Sequence, residues 1–384
     1  MSMFQRLCDP FGSLLGILLV LFSSLSLWAA ELQELQLTVP NESPIELAVY
    51  HNPGAPVIML VHGFAADYNT WAHSVGKGLA NTHGYTVIMP NMRNTSGFEK
   101  RVITDIDHVY QYAREHLGEV KVVVGHSMGA VMSEQWAAGL SMDERGVVFY
   151  DEDKARRIGA EVVSIVWVAG PVDIVNRKHV GDIVGGSVFG AISEFWSTLF
   201  KLKYPGLTIK KVFRSISHLF SSTAKGALNG VVKLDNLNKE EVKHMIRQPD
   251  PARLVGPFAA DLTRFGRKGF QSPRGLDYSD ARHFVNNVLY VAADTDTLAH
   301  PNSIYKKFET RHERHPENSR LLHLEKTGHL DAIVGERAAA MLNPFLVVSA
   351  NNPTELGSAG TVHVAEGMIS SLKVNFCGKL FGGR

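Results

Sequence analysis

Ser127, Asp296 and His329 stand in an order that can carry nucleophilic catalysis. A serine hydroxyl is a weak nucleophile near neutral pH. It needs a base within hydrogen-bond reach and a carboxylate to orient that base. Ser127 sits in Gly125-His126-Ser127-Met128-Gly129, directly after the β-branched run Val122-Val123-Val124 and directly before a helical pattern over 128–140. This is the G-x-S-x-G pattern of a nucleophile elbow, in which a strand turns sharply into a helix with the serine strained at its tip. Gly125 and Gly129 have a steric task there, because strand and helix pass too close for a Cβ. The rival reading is an ordinary glycine-rich strand-to-helix turn.

The acid and the base must follow the serine in chain order, each in a loop after a later strand. After an apolar run at 287–292 comes Ala293-Asp294-Thr295-Asp296-Thr297-Leu298-Ala299-His300-Pro301. Asp296 lies past a small-residue turn and just before an apolar-proline segment, which favours it as the acid. Asp294 is the alternative acid, or a turn-holding carboxylate. After a run at 320–325 comes Lys326-Thr327-Gly328-His329-Leu330-Asp331, which places His329 where a general base belongs. The chain holds 17 histidines, so position rather than residue type singles out His329 against a helix-capping or surface histidine. Two backbone N–H groups must meet the developing oxyanion. Met128, following the serine at a helix N-terminus, supplies one, and Phe64 of His62-Gly63-Phe64 supplies the other.

These residues need a scaffold of strands alternating with helices. Residues 32–39 and 45–50 alternate apolar and polar around Pro40–Pro44 and predict an antiparallel hairpin. Continuous apolar runs at 56–61, 86–90, 121–124, 161–169, 287–292 and 320–325 predict strands buried on both faces. Helical periodicity appears at 101–117, and a closing helix over 332–342 should stop at Asn343-Pro344. The expected class is α/β: a mostly parallel sheet flanked by helices, with a largely helical inserted cap. The predicted organisation is an apolar leader at 1–30, a first core part at 31–174, a cap at 175–280, a second core part at 281–348 and an extension at 349–384.

Helix-like pieces at 189–200, 209–220, 239–247 and 251–265 fill the cap, with Phe189, Phe195, Trp196, Phe200, Phe213 and Phe220 among lysines. Two readings stand: a lid that closes an apolar site and touches anionic lipid, or helices that pack their aromatics on the sheet and leave the lysines in solvent. From Phe11 to Ala30 no residue is charged, which predicts an export leader or an N-terminal membrane anchor. The tail from 351 reads as an amphipathic helix starting near Val362 or as a loosely packed terminus.

Lys and Arg number 39 against 38 Asp and Glu, so no global charge draws the chain to nucleic acid. Only Cys8 and Cys377 are present, and removal of the leader would leave Cys377 alone, with no intramolecular disulfide framework. His312-Glu313-Arg314-His315 has metal-ligand spacing but no further partners and reads as a solvated loop. No cofactor or metal is expected.

With these pieces in order, the chain resembles the α/β-hydrolase superfamily over residues 32–348. HGFAADYNTW, GHSMG, DTLAHP and GHLDAIVGERAAAML are similar to stretches of its acid-lipase and lipase/esterase branch. The resemblance implies hydrolysis of a carboxylic ester or lipid by Ser127, Asp296 and His329, and it supports Asp296 over Asp294. Met128 departs from the polar residue often found after the serine in acid lipases. Acyl transfer or thioester hydrolysis would use the same triad, and a binding protein that keeps the fold is the rival from another class.

Overall fold

Valine, isoleucine and leucine runs without polar alternation must be covered on both faces, and the central sheet is built from them. The computed structural model describes residues 29–64, 66–172, 233–238, 241, 257–278, 286–296, 298–353 and 361–364. By its contacts the chain divides into Met1–Glu31 and Leu32–Arg384, and the elements below belong to the second unit. The leader up to residue 28, the helices expected at 189–200 and 209–220, and their aromatic and lysine residues lie outside the described residues.

Strand β1 (Leu32–Leu37) pairs antiparallel with β2 (Ile45–Tyr50), Leu37 opposite Ile45. Then come β3 (Val57–Val61), β4 (Thr86–Asn91) and β5 (Val120–His126). A separate two-stranded sheet joins β6 (Leu140–Met142) to β7 (Val148–Tyr150). The main sheet continues with β8 (Ser164–Val168), β9 (Asn287–Ala293), β10 (Ser319–Leu324) and β11 (Thr361–Val364). Its nine strands run β1-β2-β4-β3-β5-β8-β9-β10-β11, with all pairs parallel from β4 onward. Every residue of β3, β4 and β8 is buried, as two covered faces require.

Seven helices among the described residues matter to the surroundings of the sheet. Helix α1 spans residues 69–83 and α2 spans 98–116, each with a π-wound stretch, at Ala72–Gly76 and Arg101–Ile106. The others are α3 (Met128–Ala137), α4 (Glu152–Glu161), α5 (Pro257–Lys268), α6 (Pro301–His312) and α7 (Glu336–Asn351). Helix α3 is buried along its whole length, so it follows β5 into the interior.

Four local expectations are corrected. The helix after Ser127 ends at Ala137 rather than near 140, because Gly139 takes φ 83° and its N–H bonds to the Trp136 carbonyl. Leu140 then opens β6. The strand expected from 161 starts at Ser164, since Glu161 still belongs to α4, whose N-cap Asp151 accepts from the Asp153 and Lys154 N–H groups. Helix α7 does not stop at Asn343-Pro344 but carries Pro344 inside it. A proline there costs on the order of 3 kcal/mol, and burial of Met341, Leu342, Phe345, Leu346 and Val348 offsets it. In the tail, Val362 lies in β11, parallel to β10 and opposite Leu322, and not in a helix. Within the insertion, the helix expected over 251–265 is seen as α5, and of 239–247 only Glu241 is described.

Candidate active site

Ser127 is placed by the collision of a strand with a helix. At the end of β5 the chain reverses into α3 through Ser127, which has φ 54° and ψ −127°. A non-glycine residue held there stores on the order of 1–3 kcal/mol of strain, so the surroundings must impose it. They do. A Cβ on Gly125 would stand 2.3 Å from the Gly129 carbonyl oxygen, and one on Gly129 would stand 2.4 Å from that of Val61. The Ser127 N–H donates to the Val168 carbonyl at 2.9 Å, tying the turn to β8. Ser127 remains partly exposed, while His126 and Met128 on either side are buried.

The loop after β3 reaches the same point. A Cβ on Gly63 would meet Ser127 Cβ at 2.8 Å and its Oγ at 3.3 Å, so only glycine lets this backbone lie against the serine. His62 holds the loop. Its Nε2 accepts the Met92 N–H at 3.0 Å, so the proton resides on Nδ1, which donates to the Gly63 carbonyl at 2.7 Å. That carbonyl belongs to the same planar peptide as the Phe64 N–H, so His62 orients this N–H as well. The Phe64 ring lies 5.8 Å from Phe258 of α5, which brings the insertion up to the loop.

His329 and Asp296 meet across the loops that follow β10 and β9. The His329 Nδ1–H donates to Asp296 Oδ2 at 2.7 Å, and both residues are buried. The other carboxylate oxygen, Oδ1, accepts the Leu298 and Ala299 N–H groups at 2.7 and 2.8 Å. Three donors therefore fix the carboxylate. With Nδ1 committed to Asp296, Nε2 is the ring nitrogen left to take a proton. Asp294 faces elsewhere. Its Oδ1 accepts the Thr327 N–H at 2.9 Å and pins the histidine loop to the aspartate loop.

His126, the residue before Ser127, is linked to the His329 loop. Its Nε2 lies 2.9 Å from the His329 carbonyl oxygen, and the two rings are 4.6 Å apart. Burial, and then the neighbouring His329 charge, hold the His126 imidazole well below its ordinary pKa. Among the described residues no group of three or more His, Cys, Asp or Glu side chains is arranged to hold a metal ion.

Residues 56–142 match the family described as alpha/beta hydrolase fold. An esterase from Thermogutta terrifontis superposes with a TM-score of 0.54 at 15% identity, covering 83% of this chain and all (100%) of that one. A bromoperoxidase from Bacillus anthracis gives 0.50 at 15% identity, covering 83% and 99%. The chain has the alpha/beta hydrolase fold. Epoxide hydrolase A of Mycobacterium tuberculosis is 32% identical over 100 residues, which cover 24% of this chain and 30% of that protein. The chain thus spans under a third of that relative's length. An esterase, a bromoperoxidase and an epoxide hydrolase share this likeness, so the chemistry has to be read from the site.

One part of this site leaves no local signal in the sequence. Residues 233–236, between β8 and β9, are bound to the loop that carries His329. The buried Asp331 carboxylate accepts the Lys233 and Gly328 N–H groups, each at 3.0 Å, and the Asn236 amide. Asn236 also donates to the Lys326 carbonyl at 2.7 Å. Glu241 Oε1 accepts the Glu336 N–H at 2.7 Å, at the start of α7, where the helix dipole favours a carboxylate. Asp331 is the residue that joins Lys233 and Asn236 to the His329 loop. The Asp of His329-Leu330-Asp331 was visible, but its partners Lys233 and Asn236 lie 98 and 95 positions away.

Proposed function

We propose that this protein hydrolyses carboxylic esters through an acyl-enzyme on Ser127. The observation that carries the proposal is the buried 2.7 Å bond from His329 Nδ1 to Asp296, in a chain whose Ser127 has the backbone of a nucleophile elbow. In this reading Ser127 Oγ attacks the ester carbonyl as His329 Nε2 takes its proton. The oxyanion is met by the N–H groups of Phe64 and Met128, each worth on the order of 10²–10³ in turnover. As the tetrahedral intermediate collapses, the C–O bond to the alcohol breaks and His329 returns the proton to the leaving alcohol. Water then attacks the acyl group, giving its proton to His329, and Ser127 is regenerated with release of the acid.

Ser at 127 supports ester chemistry over epoxide opening by a carboxylate nucleophile. The acyl chain is the business of the insertion at 175–280, with Phe258 beside Phe64 as its described approach to the site. Export or anchoring through the apolar stretch at 11–30 belongs to the same proposal, and fractionation of full-length protein with and without residues 1–30 tests it. For the activity, p-nitrophenyl esters of short to long acyl chains are assayed with wild type and His329→Ala. A serine ester hydrolase shows a chain-length optimum that the variant loses by about 10³-fold or more. A flat profile that the variant shares would reject it.

A further inference from the structure

We infer that His126, which precedes the serine, is a positioning residue that holds the His329 main chain at the distance the Ser127–His329 proton transfer requires. The inference rests on the reading of Ser127 as nucleophile and His329 as base. A carbonyl oxygen can only accept, so the 2.9 Å contact to the His329 carbonyl places the His126 proton on Nε2. His126 Nδ1 is buried and without a hydrogen-bond partner among the described residues. The ring is therefore neutral, with one tautomer and one direction of donation. Its backbone is equally fixed. His126 is the last residue of β5, opposite Val168 of β8, and Trp71 meets its ring edge-on at 6.2 Å.

His329 needs such an anchor because no strand or helix holds it. It lies in the loop between β10 and α7. The Asp296 bond fixes one ring nitrogen, but the imidazole could still swing about that bond if the main chain drifted. The His126 bond removes that freedom and joins residues 203 positions apart in sequence. It couples the base to the residue next to the nucleophile, so a movement of one carries the other. The neutral ring also suits its neighbour, since His329 becomes cationic during the reaction with the His126 ring only 4.6 Å away.

The test compares His126→Phe, which keeps a ring but no donor, with His126→Gln, whose amide Nε2 reaches where the imidazole Nε2 stands. A fluorophosphonate probe reports Ser127 reactivity, and p-nitrophenyl acetate gives kcat and KM. We expect His126→Phe to lose about 10- to 100-fold in kcat and in labelling rate, with KM changed less than about threefold. His126→Gln should recover to within about fivefold of wild type. If His126→Phe does not fold, His126→Asn replaces it. Its shorter amide ends near the Nδ1 position, so it should fall about tenfold or more below His126→Gln. Wild type labelled at Ser127 together with an equally reactive His126→Phe or His126→Asn overturns the inference alone. So does His126→Gln as impaired as His126→Phe. Wild type that does not label at all overturns the ester-hydrolase reading and this inference with it.

Discussion

Replacing Asp296 by asparagine should invert the tautomer of His329, and the structure says why the amide cannot avoid it. Oδ1 accepts two backbone N–H groups, from Leu298 and Ala299, so that position demands an oxygen. The NH₂ of the introduced amide is thereby forced into the Oδ2 position, facing His329 Nδ1. Donor then meets donor unless His329 moves its proton to Nε2, and a protonated Nε2 cannot accept from Ser127. Loss of the correct tautomer in such a triad is worth about 10⁴ in kcat, or about 5.4 kcal/mol of transition-state stabilisation. The control is Asp294→Asn. Asp294 Oδ1 accepts the Thr327 N–H, and an asparagine keeps that acceptor, so kcat should change less than about threefold. Both variants are assayed by p-nitrophenyl ester hydrolysis, with thermal unfolding as the fold check. An Asp296→Asn enzyme retaining a tenth of wild-type kcat, or an Asp294→Asn enzyme equally damaged, would refute the reasoning.

Three further predictions rest on other contacts. Gly63→Ala places a methyl 2.8 Å from Ser127 Cβ and 3.3 Å from its Oγ, and should cut kcat by about 10²-fold; steady-state kinetics check this, and unchanged turnover would contradict the packing of this loop. Asp331→Ala leaves the Lys233 and Gly328 N–H groups and the Asn236 amide without their shared acceptor, and should cost about 2–4 kcal/mol in urea unfolding. The buried His126 has a depressed pKa, so below about pH 6.5 the unfolded chain binds a proton that the folded chain refuses. Stability therefore falls as pH drops through about 6.5, by up to about 1.4 kcal/mol per pH unit from this group, and that slope should be missing from His126→Gln when urea midpoints are compared.

How far the sequence could be read depended on whether a feature was local. The strands of the parallel sheet announce themselves because each is a short, wholly apolar run, and β3 and β8 are buried end to end. The order of Ser127, Asp296 and His329 was visible for the same reason, each residue lying a few positions beyond such a run. The choice between Asp294 and Asp296 was legible in the residues only as a preference for Asp296. Both carboxylates sit in one loop, and only three-dimensional structure turns one toward His329 and the other toward Thr327. Short elements escaped: β6 and β7 have three residues each, too few for periodicity to show. Pro344 misled because a local helix-breaking signal was outweighed by distant burial. The bonds from Asp331 to 233–236 and from Glu241 to α7 are carried by polar atoms far apart in sequence, and no periodic pattern encodes them.

The central claim, a covalent acyl-enzyme on Ser127, is tested most directly by intact-protein mass spectrometry. The protein is mixed with p-nitrophenyl acetate and quenched in acid within the pre-steady-state burst. The account predicts one added acetyl group per chain, mapped by peptide sequencing to Ser127, and none in Ser127→Ala. An acetyl group on another residue, or ester hydrolysis that continues unchanged in Ser127→Ala, would contradict it.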